Sequence, residues 1–159
     1  MNEVITIGIA DAAIARQPCI LVTYALGSCV GVCLYEKKRR IGGMVHILLP
    51  SRAASVNQDN AFKFADSGVK KLLDGMLCRG AERQSIIGKI AGGAEMFQQE
   101  TLNSQIGKRN VAAVKAVLRE LRIPLAAEHT GSNFGRTIWL SCQDGSLKVR
   151  TVNNGIQVI

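Results

Sequence analysis

Residues 29–49 read CVGVCLYEKKRRIGGMVHILL. Cys29 to Tyr35 is rich in small and β-branched residues. Ile41 to Leu49 is a second such run, and the cationic Lys37-Lys38-Arg39-Arg40 lies between them. Two apolar runs around a short polar segment predict a β-hairpin. With Lys37-Lys38 as a two-residue loop, Cys29 faces His46 and Gly31 faces Met44. A three-residue loop would break that register. Directly opposed residues share a face, with Cβ atoms about 4.5–5.5 Å apart. A thiol and an imidazole at that separation can exchange a proton.

Working outward, Val4 to Ala10 and Cys19 to Tyr24 read as strands, and Gly27-Ser28 punctuates the chain before Cys29. Pro50-Ser51 ends the hairpin, and Ser51 to Asp59 is a polar loop. Phe62, Ala65, Val69, Leu72 and Met76 recur at helical spacing, with Leu73 and Leu77 widening the stripe. Asp59 or Asn60 is placed to cap this helix and Gly80 to end it. Ser85 to Ala91 predicts a strand. Gly92-Gly93-Ala94 breaks it and leads into a turn around Glu95-Met96-Phe97. A second helix carries Val111, Val114, Leu118 and Leu121 and stops before Pro124. Strands follow at Leu125 to His129, Thr137 to Cys142 and Leu147 to Val152, with Asp144-Gly145 as a hairpin turn. Two helices and seven or eight strands without strict alternation predict an α+β sandwich. Its sheets are mixed and largely antiparallel, with the helices on outer faces.

The chain has 159 residues, 47% of them apolar and 20% charged. That length predicts a single domain over residues 1–159, burying about 70% of its unfolded surface. The composition is not that of a disordered chain. No uncharged apolar run nears the roughly 18 residues of a membrane span, and Met1-Asn2-Glu3 opens no signal peptide. A soluble, cytoplasmic protein without membrane insertion is expected. Twenty Lys and Arg against twelve Asp and Glu leave a net charge of +8, which predicts an acidic partner. Aromatic residues are only 4%, which argues against a binder that stacks single-stranded bases. Specific nucleic-acid binding is not expected. The run at 37–40 reads as a solvated loop.

Five cysteines, an odd number with no C-x-x-C pair, argue against a disulfide framework. Only His46 and His129 could join them as imidazoles, so a zinc site is not expected, and thiol-based acyl transfer requires no metal or organic cofactor. Cys29 and His46 suit nucleophilic acyl transfer, in which imidazole takes the thiol proton and the thiolate attacks a carbonyl. A third group must orient the imidazole. Thr23, six residues before Cys29, can fold back to it through the bend at Gly27-Ser28. The N–H groups near Gly27, Ser28 and Cys29 are candidates to stabilise an oxyanion. The same residues also describe a buried thiol and a core histidine bonded to a carbonyl. His129, between Glu128 and Thr130, reads as a surface histidine. The glycine turn at 92–94 reads as a tight turn, without the lysine of a nucleotide loop.

Several stretches together resemble the CheD family of chemoreceptor glutamine deamidases. They are Leu26-Gly27-Ser28-Cys29-Val30, His46-Ile47-Leu48-Leu49-Pro50, Lys89 to Ala94 with Met96-Phe97, and Ile106-Gly107 with Arg109-Asn110. They occur in the family's order and span nearly the whole chain. The resemblance implies a Cys-His-Thr triad, with Cys29 as nucleophile, His46 as base and later acid, and Thr23 as orienting group. It implies a fold like that of toxin-type cysteine deamidases. It also implies conversion of glutamine to glutamate in the cytoplasmic domains of methyl-accepting chemotaxis receptors, through a thioester. A CheC-type phosphatase is a further implied partner, and a binding module that stimulates it is the alternative function. Two positions depart from the family pattern. His129 and Ser132 stand where an acidic residue and paired glycines are usual, so that region's partner contacts do not carry over.

Overall fold

The computed structural model describes residues 2–96 and 105–159. Among them are ten strands: β1 (Val4–Ile7), β2 (Ala12–Arg16), β3 (Ile20–Leu26), β4 (Val30–Glu36), β5 (Ile41–Ile47), β6 (Ile86–Gly92), β7 (Leu125–Thr130), β8 (Arg136–Ser141), β9 (Leu147–Thr151) and β10 (Gly155–Val158). Two α-helices accompany them, α1 (Ala65–Cys78) and α2 (Ile106–Glu120). The strands form two five-stranded sheets, ordered β1-β3-β8-β9-β10 and β2-β5-β4-β6-β7. Only β1/β3 and β6/β7 pair in parallel. The expected sandwich of mixed, largely antiparallel sheets is the observed one. Both helices pack on the outer face of the second sheet. The layers therefore run sheet, sheet, helices.

The strand count exceeds the expected seven or eight because β2 and β10 carry weak local signals. Ala-Ala-Ile-Ala-Arg has little intrinsic strand preference and is a strand because it pairs with β5. Gly-Ile-Gln-Val pairs with β9 in the same way. Phe97 of the expected turn lies outside the described residues. Asn60 caps a short turn at Ala61–Lys63, through Phe62 N–H to Oδ1 at 3.0 Å, and α1 starts only at Ala65.

Every residue of β4 and β5 is buried, because both of their faces are covered. One face meets Leu21, Ile138 and Leu140 of the first sheet, and the other meets Leu72, Val114 and Leu118 of the helices. β8 and β9 alternate between buried and accessible positions, as a sheet with one open face requires.

The hairpin register corrects the sequence expectation. Gly31, not Cys29, pairs with His46, and Glu36 pairs with Ile41 across a four-residue loop. The cause is Glu36, whose buried carboxylate accepts the backbone N–H groups of Lys38 at 2.6 Å, Arg39 at 3.1 Å and Glu82 at 3.2 Å. Those bonds need all four loop residues, and Arg40 closes the loop in the left-handed region at φ 53. The shift is two residues. Cys29 lies in the bend just before β4, outside the paired register, and is buried in the apolar cluster between the sheets with Met44 and Ile138.

Candidate active site

His46 projects from β5 into the space between the sheets and is fully buried. Its strand is anchored by His46 N–H to Asp11 O at 3.1 Å and Ala10 N–H to His46 O at 3.0 Å. Thr23 comes from β3 in the opposite sheet and is also fully buried. Its Oγ1 lies 2.8 Å from His46 Nδ1. The same hydroxyl donates to the Ile7 carbonyl at 2.7 Å, because β1 pairs Ile7 with Thr23.

These two contacts set the tautomer. A hydroxyl has one proton, and here it is donated in the bond to Ile7 O. Toward His46 the oxygen can only accept, so Nδ1 carries the hydrogen and Nε2 holds a bare lone pair. Nε2 is buried with no hydrogen-bond partner among the described residues. Burial pushes the imidazole pKa down to about 4, so the ring is neutral near pH 7.

Cys29 sits between the Gly27-Ser28 bend and the first residue of β4, and is buried. Burial raises its thiol pKa, with a smaller opposing effect from its own N–H. The pair at rest is thus thiol and neutral imidazole, without an ion pair. The loop is held from two sides. Gly93 N–H donates to Cys29 O at 2.8 Å and Ala94 N–H to Gly27 O at 2.9 Å. A Cβ at Gly92 would collide with the Cys29 carbonyl oxygen, so this approach requires glycine. From α2, the buried Asn110 gives both hydrogens of its side-chain amide, to Ser28 O and to Leu48 O, each at 3.0 Å. One side chain thereby ties the residue before Cys29 to the second residue after His46. The N–H of Gly27 bonds to Ala25 O. Those of Ser28 and Cys29 have no backbone acceptor among the described residues.

The structure brings Thr23 and His46 into contact, and Cys29 is buried in the apolar layer between the same two sheets. It separates His129 from this group. His129 Nδ1 accepts from Arg136 Nε at 2.8 Å. Arg136 is buried without a carboxylate partner among the described residues. Its guanidinium also donates to Gly131 O at 2.9 Å and to Gly92 O and Phe134 O at 3.4 Å. It braces the glycine turn that lies against Cys29. Burial, and then this guanidinium, lower the His129 pKa. Sequence reasoning gave Asn110 and Arg136 no role. Asn110 had a usable signal, because it is a polar residue in line with the apolar stripe of α2. Arg136, at a strand start, had none. Cys19, Cys33 and Cys142 are core thiols and Cys78 is exposed on α1. Among the described residues no group of three His, Cys, Asp or Glu is placed to hold a metal. No helix among them is long and apolar enough to cross a membrane.

Comparison with known proteins bears on the whole arrangement. The crystal structure of the Bacillus licheniformis hypothetical protein YfiH superposes with a TM-score of 0.50 at 15% identity, covering 76% of this chain. This chain spans 50% of that protein, and the likeness is one of fold alone. A probable chemoreceptor glutamine deamidase CheD from Caldanaerobacter subterraneus is 44% identical, over 99% of each chain. The chemoreceptor glutamine deamidase CheD of Halalkalibacterium halodurans is 44% identical over 98% of each. A further relative of that name, from Methanosarcina barkeri, is 41% identical over 96% of this chain and 99% of its own. The family model described as CheD chemotactic sensory transduction matches residues 48–151, and the full-length relatives extend the match across Thr23, Cys29 and His46. With identities above 40% over nearly its whole length, the chain belongs to the CheD family.

Proposed function

We propose that this protein hydrolyses glutamine side-chain amides of chemoreceptors to glutamate, as a protein-glutamine glutaminase, using Cys29, His46 and Thr23. The observation that carries the proposal is the bare, buried Nε2 of His46, enforced by Thr23 and Ile7. A buried lone pair left without a donor is costly unless something supplies a proton. The Cys29 thiol, buried between the same sheets, supplies that proton in this reading.

In the forward step His46 Nε2 takes the thiol proton as sulfur bonds to the carboxamide carbon. The resting groups are both neutral, so this transfer accompanies substrate arrival and does not precede it. The oxyanion would be received by the N–H groups of Ser28 and Cys29. The C–N bond breaks as His46 Nε2–H protonates the departing nitrogen, releasing ammonia and leaving a thioester. A water gives its proton to Nε2 and attacks the thioester carbon. The products are glutamate and the regenerated thiol. Thr23 holds Nδ1–H throughout and stabilises the imidazolium through its acceptor oxygen.

The test is intact-mass analysis of receptor cytoplasmic fragments incubated with the protein and with Cys29→Ala. The expected result is a gain of about one dalton per converted glutamine, with the unmutated protein only. An unchanged mass with both proteins would overturn the enzyme reading. A role confined to binding a partner such as a CheC-type phosphatase would then remain.

A further inference from the structure

The first sheet buries one face against the second sheet and leaves the other without a helix among the described residues. Leu21, Thr23, Ile138, Leu140 and Val149 point inward, so the alternate residues point outward, and of these Val22, paired with Trp139, is fully buried. Strand register makes them a continuous array. Trp139 pairs with Lys148 and Lys148 with Val158, while Arg150 pairs with Ile156. Tyr24, Ile156 and Val158 are 49%, 58% and 64% exposed. The cations of Lys148 and Arg150 lie 5.8 and 5.2 Å from the Trp139 ring centroid. None of the five strands contains Asp or Glu.

Solvent alone gives no reason for this composition. An outer sheet face is ordinarily polar with mixed charge. Trp, Tyr and Arg are the residue types that dominate binding hot spots, and here all three share one open face with aliphatic neighbours. Two cations without a carboxylate set its sign. A phosphate backbone would leave the exposed Ile156 and Val158 against charge. A protein surface with carboxylates around apolar side chains would satisfy both features. Tyr24 directly follows Thr23, so the array ends at the level of the site.

We propose that this outer face docks the protein substrate, holding an acidic stretch of it apart from the glutamine that reacts. The proposal rests on the deamidase reading for the partner's identity. The charge and exposure of the face stand apart from it.

The test uses the full chain with Lys148→Glu and Arg150→Glu together, and separately Trp139→Ala. Binding of a receptor cytoplasmic fragment is measured in the Cys29→Ala background, where chemistry plays no part. A loss of about tenfold or more is expected. In the active protein, KM for the fragment should rise by a similar factor, with kcat and the hydrolysis of a short glutamine peptide unchanged. Unchanged fragment binding would overturn the proposal. So would an equal fall with the short peptide, which would make the face a support of the site. Displacement of the fragment by duplex DNA with equal loss of both would also overturn it, in favour of a general polyanion surface. If the active protein converts neither substrate, the deamidase reading fails, and the binding measurement still decides the docking surface.

Discussion

The protein has two histidines, and they sit in opposite hydrogen-bond settings. At His46, Nδ1 is the donor, because the Thr23 hydroxyl already donates its hydrogen bond to Ile7 O. At His129, Nδ1 is the acceptor, because the guanidinium of Arg136 can only donate. Both rings are neutral near pH 7, and both have pKa values lowered by burial. The first ring keeps a bare, buried nitrogen. The second has spent its lone pair on a structural bond. The difference teaches that burial alone does not make a histidine a base. The partner on the other ring nitrogen decides which lone pair is available.

The comparison breaks most directly by substituting each ring. On the proposed mechanism, His46→Gln lowers kcat by about 10³- to 10⁴-fold, whereas His129→Gln stays within about tenfold of the unmutated protein. Turnover of a receptor fragment measures both. Equal losses would remove the distinction.

Acid sharpens the same contrast through stability. The pKa of His46 falls on folding, from an ordinary 6.5 to about 4. Below pH 6.5 the unfolded chain therefore binds more protons than the folded one. Its stabilising contribution is fully present above pH 6.5, declines as pH falls toward about 4, and levels off below that. The full range is on the order of 3 kcal/mol. Urea unfolding of the unmutated protein and of His46→Gln at pH 5 and pH 7 checks it, because the variant should lose most of the slope. His129→Gln should lose a smaller part.

Thr23 provides the next test. Thr23→Val leaves Nδ1–H without an acceptor and frees the ring to change tautomer. Turnover is expected to fall by about 10²-fold, with most of it restored in Thr23→Ser. Nitrogen chemical shifts of the imidazole report the tautomer directly, and an unchanged tautomer in Thr23→Val would sink the assignment. On the other side, Arg136→Met removes the donors to Gly131, Gly92 and His129. It should cost about 2 kcal/mol of folding stability, measured by denaturant unfolding. The Cys29 loop should then react faster with an alkylating reagent, because the glycine turn that backs it is released.

Much of the site was legible before folding was considered. Cys29, His46 and Thr23 stood out by residue type and spacing, and of these Thr23 and His46 do meet. The register between Cys29 and His46 was misjudged because Lys37-Lys38 looked like a sufficient loop. Glu36, whose carboxylate demands a longer one, has no mark in a hydrophobic pattern. β2 and β10 were missed because their strand character comes from their neighbours. Arg136 was missed because its partners are carbonyl oxygens of residues 92, 131 and 134, which no sequence motif displays.

By itself the amino-acid sequence determined the strand alternation and the helix stripes. Both follow from local periodicity, which is a property of the backbone. Only the tertiary structure decided that Thr23 crosses from one sheet to meet a histidine on the other, and that its hydroxyl donates to Ile7 O. The contact with His46 joins strands from separate sheets, so its geometry depends on how closely two faces pack, and the bond to Ile7 lies within the first sheet, between the parallel neighbours β3 and β1. Gly31 is one cause of that closeness, since a Cβ there would come within 2.6 Å of Ile138. The protonation pattern of the site is accordingly a consequence of sheet packing, to which periodicity along a single strand is blind.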